Sequence, residues 1–279
     1  MKITYIDIHT HLNLSAFSED WKEAAKRAQE EGVALINVGT QRDTSAAAVE
    51  IADATDGVYA TIGIHPVHAT KSYHDEQELG PEQKGFTSRG EEFDHDYYAE
   101  LAKSPKVVAV GECGLDYYRV DKDAKEKQEE TFIRQIEFAN EIERPLMLHV
   151  RASQGTMDAY EDALVLVKRY AKVRGNVHFF AGSLEVAKQF WDIGYSTSFT
   201  GVLTFTHDYD AVVQAAPKEL IHAETDAPYV APVPHRGERN EPLHVREVYK
   251  KIAELRGEDE EVMRAQLVEN ASNLFGILI

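Results

Sequence analysis

The chain has 279 residues, of which 43% are hydrophobic, and its formal net charge is −18. This length fits one large domain or two small ones. Length alone does not decide between them, because α/β barrels of about 250 residues fold as single domains. A protein that coats duplex DNA through the backbone phosphates usually presents a basic face, so the acidic composition argues against that function. A phosphate substrate that is bound locally by metal ions stays compatible with it.

Nothing in the sequence predicts a membrane segment or an export signal. No stretch reaches the roughly 20 uninterrupted apolar residues that a membrane span needs. Residues 2–8 form a strand-like run without the apolar region and cleavage site of a signal peptide. The single cysteine, Cys113, excludes an intramolecular disulfide and is typical of a reducing compartment. We therefore expect a cytoplasmic protein with no membrane partner, and we predict no obligate protein partner.

Short apolar runs alternate with longer amphipathic segments along most of the chain. The runs predict strands at residues 3–8, 33–38, 58–64, 107–111, 145–149, 176–180, 195–198 and 220–224. Helix-like segments include residues 21–29, 44–54, 124–142 and 157–169. Such alternation is typical of parallel βαβ units, and eight units close a barrel. The sequence therefore predicts an α/β protein with a TIM-type (β/α)8 barrel that has room for distorted or extra elements.

An open, doubly wound sheet is the alternative arrangement of the same units. The first predicted strand is not followed by a Gly-x-Gly-x-x-Gly turn, which weakens a nucleotide-binding version of that fold. No low-complexity linker divides the chain, and this favours a single domain over residues 1–279.

One segment, from about residue 70 to residue 96, departs from the alternation. It is polar, acidic and glycine-containing, and it follows the third predicted strand. In a barrel this position carries a loop on the catalytic face. A solvated insertion is the favoured interpretation, and a lid or substrate-facing loop is the alternative.

Asp7, His9 and His11 occupy alternate positions at the end of the first predicted strand. Alternate residues of a strand point to the same face, so both imidazoles can reach one cation. A lone His-x-His pair also occurs by chance, and the interpretation depends on what ends the other strands. Four further residues of metal-binding type stand at or near predicted strand ends: Glu112, His149, His178 and Asp226. Because strand ends meet on one face of a parallel barrel, these four positions together with the end of the first strand predict a metal site.

Eight segments, in the same order along the chain, resemble the TatD family of metal-dependent deoxyribonucleases in the amidohydrolase-like superfamily. The segments are DIHTHL at 7–12, GIHP at 63–66, GECGLD at 111–116, LHVR at 148–151, HFFAG at 178–182, ETDAPY at 224–229, RNEP at 239–242 and NASNLF at 270–275. The resemblance spans nearly the whole chain, and it implies the same barrel and a hydrolase of phosphodiester bonds.

The resemblance also implies a ligand set for two divalent ions. The ligands implied for the first ion are His9, His11, Glu112 and Asp226. The second ion is implied at His149 and His178, with Glu112 as the bridge. Nitrogen and oxygen donors of this kind suit Zn, Mn, Fe or Ni, and Mg is accommodated through its water ligands. Two-metal chemistry then predicts attack of an activated water on phosphorus, with Asp226 as general base.

Three residues are predicted to bind the substrate. His65 follows the third strand and is expected to touch the phosphate, with a role behind a metal ligand as the alternative. Arg151, two residues after His149, is the best candidate for a bidentate phosphate contact. Arg239 belongs to a rim loop, where it binds phosphate or is an ordinary solvated charge. Glu224 has two interpretations of equal weight, a hydrogen bond to a ligand histidine or a structural role.

The leading functional hypothesis is a deoxyribonuclease that trims single strands from an end with two divalent ions, Mg, Mn or Zn. The acidic composition suits a short strand entering a metal pocket better than a long duplex. Hydrolysis of a small phosphoester, lactone or amide is the alternative, because one fold supports many reactions. A weakly catalytic metal-binding protein is the alternative from a different class.

Overall fold

The computed structural model describes residues 2–71, 73–74, 86–118 and 120–278. In these ranges the strands are β1 Tyr5–Thr10, β2 Val33–Val38, β3 Val58–Ile62, β4 Tyr73–His74, β5 Phe86–Thr87, β6 Val107–Asp116, β7 Leu146–Arg151, β8 Gly175–Val177, β9 Ser196–Phe199 and β10 Ile221–Ala223. The α-helices are α1 Trp21–Glu30, α2 Arg42–Ala54, α3 His95–Leu101, α4 Lys122–Glu141, α5 Asp158–Tyr170, α6 Leu184–Trp191, α7 Asp210–Ala215, α8 Val245–Arg256 and α9 Glu260–Phe275.

Eight of the strands form one parallel sheet that curls into a nearly closed barrel. Its order is β1-β2-β3-β6-β7-β8-β9-β10. The sheet closes beyond β10, where Asp226 N–H donates to the His9 carbonyl at 2.8 Å and His11 N–H donates to the Ala227 carbonyl at 2.8 Å. The predicted TIM-type barrel is therefore confirmed, and barrel closure brings the end of β1 against the segment that follows β10.

Strand β6 is longer than the sequence predicts, because it continues from Gly111 to Asp116. Over this extension it pairs with β7, from Cys113 opposite Leu148 to Asp116 opposite Arg151. At Gly114 the backbone has φ +137°, and a Cβ atom there would collide with the His149 carbonyl oxygen. Glycine therefore lets the two strands approach closely beside the predicted ligands.

Helix α4 shows how the helices cover the barrel. Phe132, Ile136 and Ala139 recur at helical spacing on its inner face and are fully buried. Apolar side chains on one stripe of the helix therefore pack on the sheet, as the periodicity predicts. Among the described residues, no helix is both long enough and apolar enough to cross a membrane.

The predicted insertion of about residues 70–96 is described in part. Strands β4 and β5 pair antiparallel, with Tyr73 opposite Thr87. Its last residues begin α3, where the Asp94 carboxylate accepts a hydrogen bond from Tyr97 N–H at 3.1 Å. Residues 72 and 75–85 lie outside the described residues, and a lid role for the segment stays a prediction.

A pH effect on stability is expected from His222, which lies in β10 with 1% of its surface exposed. Its Nδ1 has no hydrogen-bond partner among the described residues, and burial lowers the pKa of the imidazole to about 3. Unfolding releases the ring to an ordinary pKa near 6.5, so stability is lost as the pH falls below that value. At pH 5 the expected loss is about 2 kcal/mol.

Urea unfolding of the metal-free protein at pH 7.5 and pH 5.0 measures this loss. Since metal-site histidines also titrate, the comparison is made between wild type and His222→Leu. The variant is expected to lose about 2 kcal/mol less than wild type between the two pH values. Equal losses in the two proteins would show that His222 is not responsible.

Candidate metal centre

The six predicted metal ligands lie together at the C-terminal ends of the barrel strands. They are His9 in β1, His11 directly after it, Glu112 in β6, His149 in β7, His178 after β8 and Asp226 after β10. All except His149 are buried. Buried carboxylates and imidazoles are costly to desolvate unless they pair with each other or bind a cation.

One side of the centre surrounds the Oε2 atom of Glu112. His9 Nε2 lies 3.4 Å from this oxygen and His11 Nε2 lies 3.9 Å from it. The same two nitrogens lie 3.7 Å and 3.4 Å from Asp226 Oδ1. His9 and His11 therefore lie close to both carboxylates expected to bind the first ion.

The other side of the centre surrounds the Oε1 atom of Glu112. His178 Nε2 lies 2.9 Å from it, His149 Nδ1 lies 3.0 Å from it and His65 Nε2 lies 3.4 Å from it. The two sides adjoin, because the His9 and His178 rings stack with centroids 3.8 Å apart. Glu112 therefore presents one carboxylate oxygen to each of two groups of histidines.

The protonation states of these groups are set by burial and by their neighbours. Burial alone would raise the pKa of Glu112, but His65, His178 and His9 hold that pKa well below its usual range. Burial and the nearby His178 lower the pKa of His9 to about 3. Nearby carboxylates raise the pKa values of His11, His149 and His178 despite their burial. A cation-binding site requires deprotonated ligands, so a bound ion would have to displace the protons that these three imidazoles favour.

The donor set fits divalent metal ions. Among the described residues, the groups whose possible ligand atoms all lie within 4.8 Å of one another are His9–His11–Glu112, His65–Glu112–His149 and His9–His178–Glu224. The first two groups share only Glu112. None of the three groups includes Asp226 or joins His149 with His178, so the complete predicted ligand sets stay predictions. Imidazole nitrogens combined with carboxylate oxygens suit Zn, Mn, Fe and Ni.

The Asp7 carboxylate ties the segment before Asp226 to β1. Its Oδ1 accepts hydrogen bonds from Thr225 N–H at 2.9 Å and from His9 N–H at 3.2 Å. Its Oδ2 accepts a bond from the Thr225 hydroxyl at 2.5 Å. Asp226 follows in a left-handed conformation with φ +55°, which non-glycine residues seldom adopt without external support. The alternation that revealed His9 and His11 includes Asp7, yet it does not predict this bracing role.

Asp116 belongs to the GECGLD segment, and its sequence position alone predicted no role for it. Its Oδ2 lies 3.0 Å from His149 Nε2, while His149 Nδ1 faces Glu112. Burial would raise the pKa of Asp116, but the bond to His149 lowers it. A carboxylate behind a ligand histidine fixes the orientation of the ring and increases its basicity. The signal available in the sequence was the place of Asp116 in the GECGLD segment, four residues after Glu112.

Glu224 agrees with the structural interpretation of its sequence position, because His178 Nδ1 has no hydrogen-bond partner among the described residues. Its Oε1 accepts a hydrogen bond from Phe179 N–H at 2.5 Å, and its Oε2 accepts one from the Ser198 hydroxyl at 2.8 Å. Its Oε1 also lies 3.6 Å from His178 Nδ1. Glu224 therefore supports the backbone directly after His178 and stands behind that ring.

The three predicted substrate-binding residues have different surroundings. His65 lies inside the centre, with its ring centroid 4.1 Å from that of His149. The Arg151 guanidinium lies 3.9 Å from the Tyr118 ring centroid. The Arg239 guanidinium donates to Asp20 Oδ1 at 2.8 Å and to Asp20 Oδ2 at 2.6 Å. Contact of these residues with phosphate stays a prediction, and Arg239 already has a carboxylate partner.

Known proteins resemble this chain over nearly its whole length. The family model described as TatD related DNase matches residues 6–276. The uncharacterized metal-dependent hydrolase YabD of Bacillus subtilis (strain 168) is 36% identical over 276 residues, covering 97% of this chain and 98% of its own. The 3'-5' ssDNA/RNA exonuclease TatD of Klebsiella pneumoniae (strain 342) is 32% identical over 281 residues and 97% of each chain.

A solved structure with the same architecture is that of YJJV, a TatD homolog from Escherichia coli K12. It superposes with a TM-score of 0.80 at 26% identity, and all of both chains is covered. The family match extends over nearly all of the barrel and includes all six predicted ligands. The chain therefore belongs to the TatD-related DNase family and is a metal-dependent hydrolase.

Proposed function

We propose that this chain is a two-ion deoxyribonuclease that trims single-stranded DNA from an end, and that residues 1–279 form its single domain. The observation that carries the proposal is the position of Glu112. Its Oε2 faces His9 and His11, while its Oε1 faces His149 and His178. A carboxylate placed in this way suits a bridge between two divalent ions. The exonuclease name of the Klebsiella relative supports the choice of substrate.

Bound divalent ions would supply positive charge that activates water and offsets charge on the phosphate. Glu112 and the surrounding histidines would hold these ions, and Asp226 would accept the proton of the attacking water. The Asp226 side chain is 12% exposed, whereas that of Glu112 is 5% exposed. Asp226 is therefore the more accessible of the two carboxylates, as a base that passes a proton to solvent must be.

The substrate phosphate would be positioned by side chains on the third and fifth barrel strands. His65 follows β3 and lies beside His149, and Arg151 ends β7 two residues after His149. Arginine presents two parallel N–H donors to a phosphate, so Arg151 is the main candidate for this contact. Arg239 is the second candidate, and Asp20 binds its guanidinium.

The choice of nucleic acid follows from charge. With a net charge of −18, the protein gains little from contacts along a duplex backbone, and attraction has to be local to the ions. We propose Mg, Mn or Zn as the ions and a reducing compartment, the cytoplasm, as the location, since the chain holds one cysteine. RNA is included among the test substrates because the Klebsiella relative is named for both nucleic acids.

The test is a substrate panel on protein that has been stripped with a chelator and reconstituted separately with Mg, Mn or Zn. Single-stranded DNA labelled at either end, single-stranded RNA, duplex DNA and small phosphoester, lactone and amide substrates are compared. We expect metal-dependent release of mononucleotides from single-stranded DNA, with one end degraded first. A wild-type protein that does not cleave DNA but cleaves a small ester or amide would overturn the nuclease proposal.

Two matched histidine variants test whether the activity comes from this centre. His149→Asn removes a predicted ligand, whereas His207→Asn changes a histidine whose side chain is 87% exposed. We expect the first to lose mononucleotide release and the second to retain it. Equal activity in the two variants would indicate a contaminating nuclease or a different site.

A further inference from the structure

Helix α4 carries two buried glutamines, Gln128 and Gln135, each 1% exposed. They are seven residues apart, which places both on the inner face of the helix at a separation of two turns. The amide oxygen and the amide nitrogen of Gln128 both form hydrogen bonds with the backbone of one residue, Asp116. Its Oε1 accepts a hydrogen bond from Asp116 N–H at 2.8 Å, and its Nε2 donates to the Asp116 carbonyl at 2.8 Å.

Gln135 makes the same pair of bonds to Ile64. Its Oε1 accepts from Ile64 N–H at 2.7 Å, and its Nε2 donates to the Ile64 carbonyl at 3.0 Å. Ile64 lies just beyond β3, and Asp116 is the last residue of β6. Buried backbone groups need partners where strand pairing ends. Each glutamine amide supplies there the donor and the acceptor that a neighbouring strand would otherwise provide.

Both anchored residues adjoin the same side of the metal centre. Ile64 immediately precedes His65, whose Nε2 lies 3.4 Å from Glu112 Oε1. Asp116 holds His149 Nε2 at 3.0 Å, and the other nitrogen of that ring lies 3.0 Å from Glu112 Oε1. The bonds from Gln128 and Gln135 therefore reach the part of the centre around Glu112 Oε1. The His9 and His11 side is built on β1, which neither glutamine contacts through a hydrogen bond.

We propose that Gln128 and Gln135 are positioning residues, through which α4 fixes His65 and the Asp116–His149 pair and sets metal affinity at Glu112 Oε1. This inference rests on the proposed two-ion centre. A buried primary amide costs free energy unless its donors and acceptor are bonded. A glutamine at such a position is therefore retained for the bonds that it makes, and here both sets of bonds end beside the centre.

The test uses Gln128→Met and Gln135→Met, because methionine has a similar length and forms no such bonds. Ile136→Val is the matched control, since Ile136 is a fully buried apolar residue of the same helix. Each chelated protein is titrated with Mn²⁺ by calorimetry, and electron paramagnetic resonance reports whether two ions are exchange-coupled. Thermal unfolding of the metal-free proteins measures the change in stability separately.

We expect wild type to bind two coupled ions. Each Met variant is expected to keep the affinity of one ion within about twofold and to weaken the other by about 10- to 100-fold, the usual effect of losing a partner behind a ligand. Ile136→Val is expected to lower the unfolding temperature and to leave both affinities unchanged. Met variants that lose stability yet bind both ions with normal affinity would show that the glutamines are only structural. An equal loss of affinity for both ions would also overturn the proposal.

Two further experimental outcomes also decide the proposal. If wild type binds a single ion, the two-ion function is contradicted. The role of the glutamines is then tested by the affinity for that ion, which must fall in the Met variants and stay unchanged in Ile136→Val. If Gln135→Met fails to fold, Gln135→Glu replaces it, because the carboxylate keeps the bond to Ile64 N–H and loses the bond to the carbonyl. Normal affinity for both ions in a folded Gln135→Glu protein overturns the role of Gln135.

Discussion

Asp226→Asn is expected to lower the turnover of single-stranded DNA by about 10³-fold, within the range of about 10² to 10⁴ that a general base contributes. Asparagine has the shape of aspartate but cannot take a proton from the attacking water. It also presents no negative charge to His11 Nε2, which lies 3.4 Å from Asp226 Oδ1. The measurement is kcat on end-labelled single-stranded DNA at saturating metal, so that weaker ion binding is not mistaken for slower chemistry.

Asp53→Asn is the matched control for this prediction. Its exposed carboxylate lies near the C-terminal end of α2, opposite the catalytic end of the barrel, and accepts a hydrogen bond from the Ser104 hydroxyl at 2.6 Å. We expect unchanged turnover in the control and a loss in Asp226→Asn that extra metal does not restore. Turnover within a few-fold of wild type in Asp226→Asn would refute its role as the base.

Glu112→Gln is expected to abolish two-ion binding and to reduce activity by more than about 10³-fold. The change removes the carboxylate that, among the described residues, faces both sides of the centre. It directs amide hydrogens or a single neutral oxygen at imidazole nitrogens. Loss of a partner behind a ligand already weakens metal binding by about 10- to 100-fold, so loss of the central carboxylate should cost more. Metal content after dialysis and kcat on the same DNA substrate measure the two effects.

Glu100→Gln serves as the control for the central carboxylate, because the Glu100 side chain is 70% exposed. The control is expected to retain the metal content and activity of wild type. A Glu112→Gln protein that still holds two ions after dialysis would show that Glu112 does not bridge them.

Much of the fold could be predicted from local pattern. The apolar run at 33–38 coincides with β2, Val33–Val38, because a strand buried on both faces reads as a continuous apolar segment. The predicted end of β6 was wrong by five residues, because the predicted strand ends at Gly111 and the observed strand ends at Asp116. Its last part is held by pairing with β7 and by Gln128, and neither interaction is visible in a local window.

The predicted ligands gather because a parallel barrel brings the ends of distant strands together. Supporting residues are harder to predict, since their partners are remote in sequence. Asp7 acts on Thr225, and Gln135 acts on Ile64. One signal was available, because Gln128 and Gln135 lie in phase with the apolar stripe of Phe132. A long polar side chain on the buried face of a helix indicates a specific hydrogen-bonding partner.

The most direct test of the two-ion account is a titration of the chelated wild-type protein with Mn²⁺, with bound ions and mononucleotide release followed in the same samples. The account predicts two ions per chain and release from single-stranded DNA that appears as the second ion binds. Full activity with one bound ion, or mononucleotide release by the metal-free protein, would contradict it.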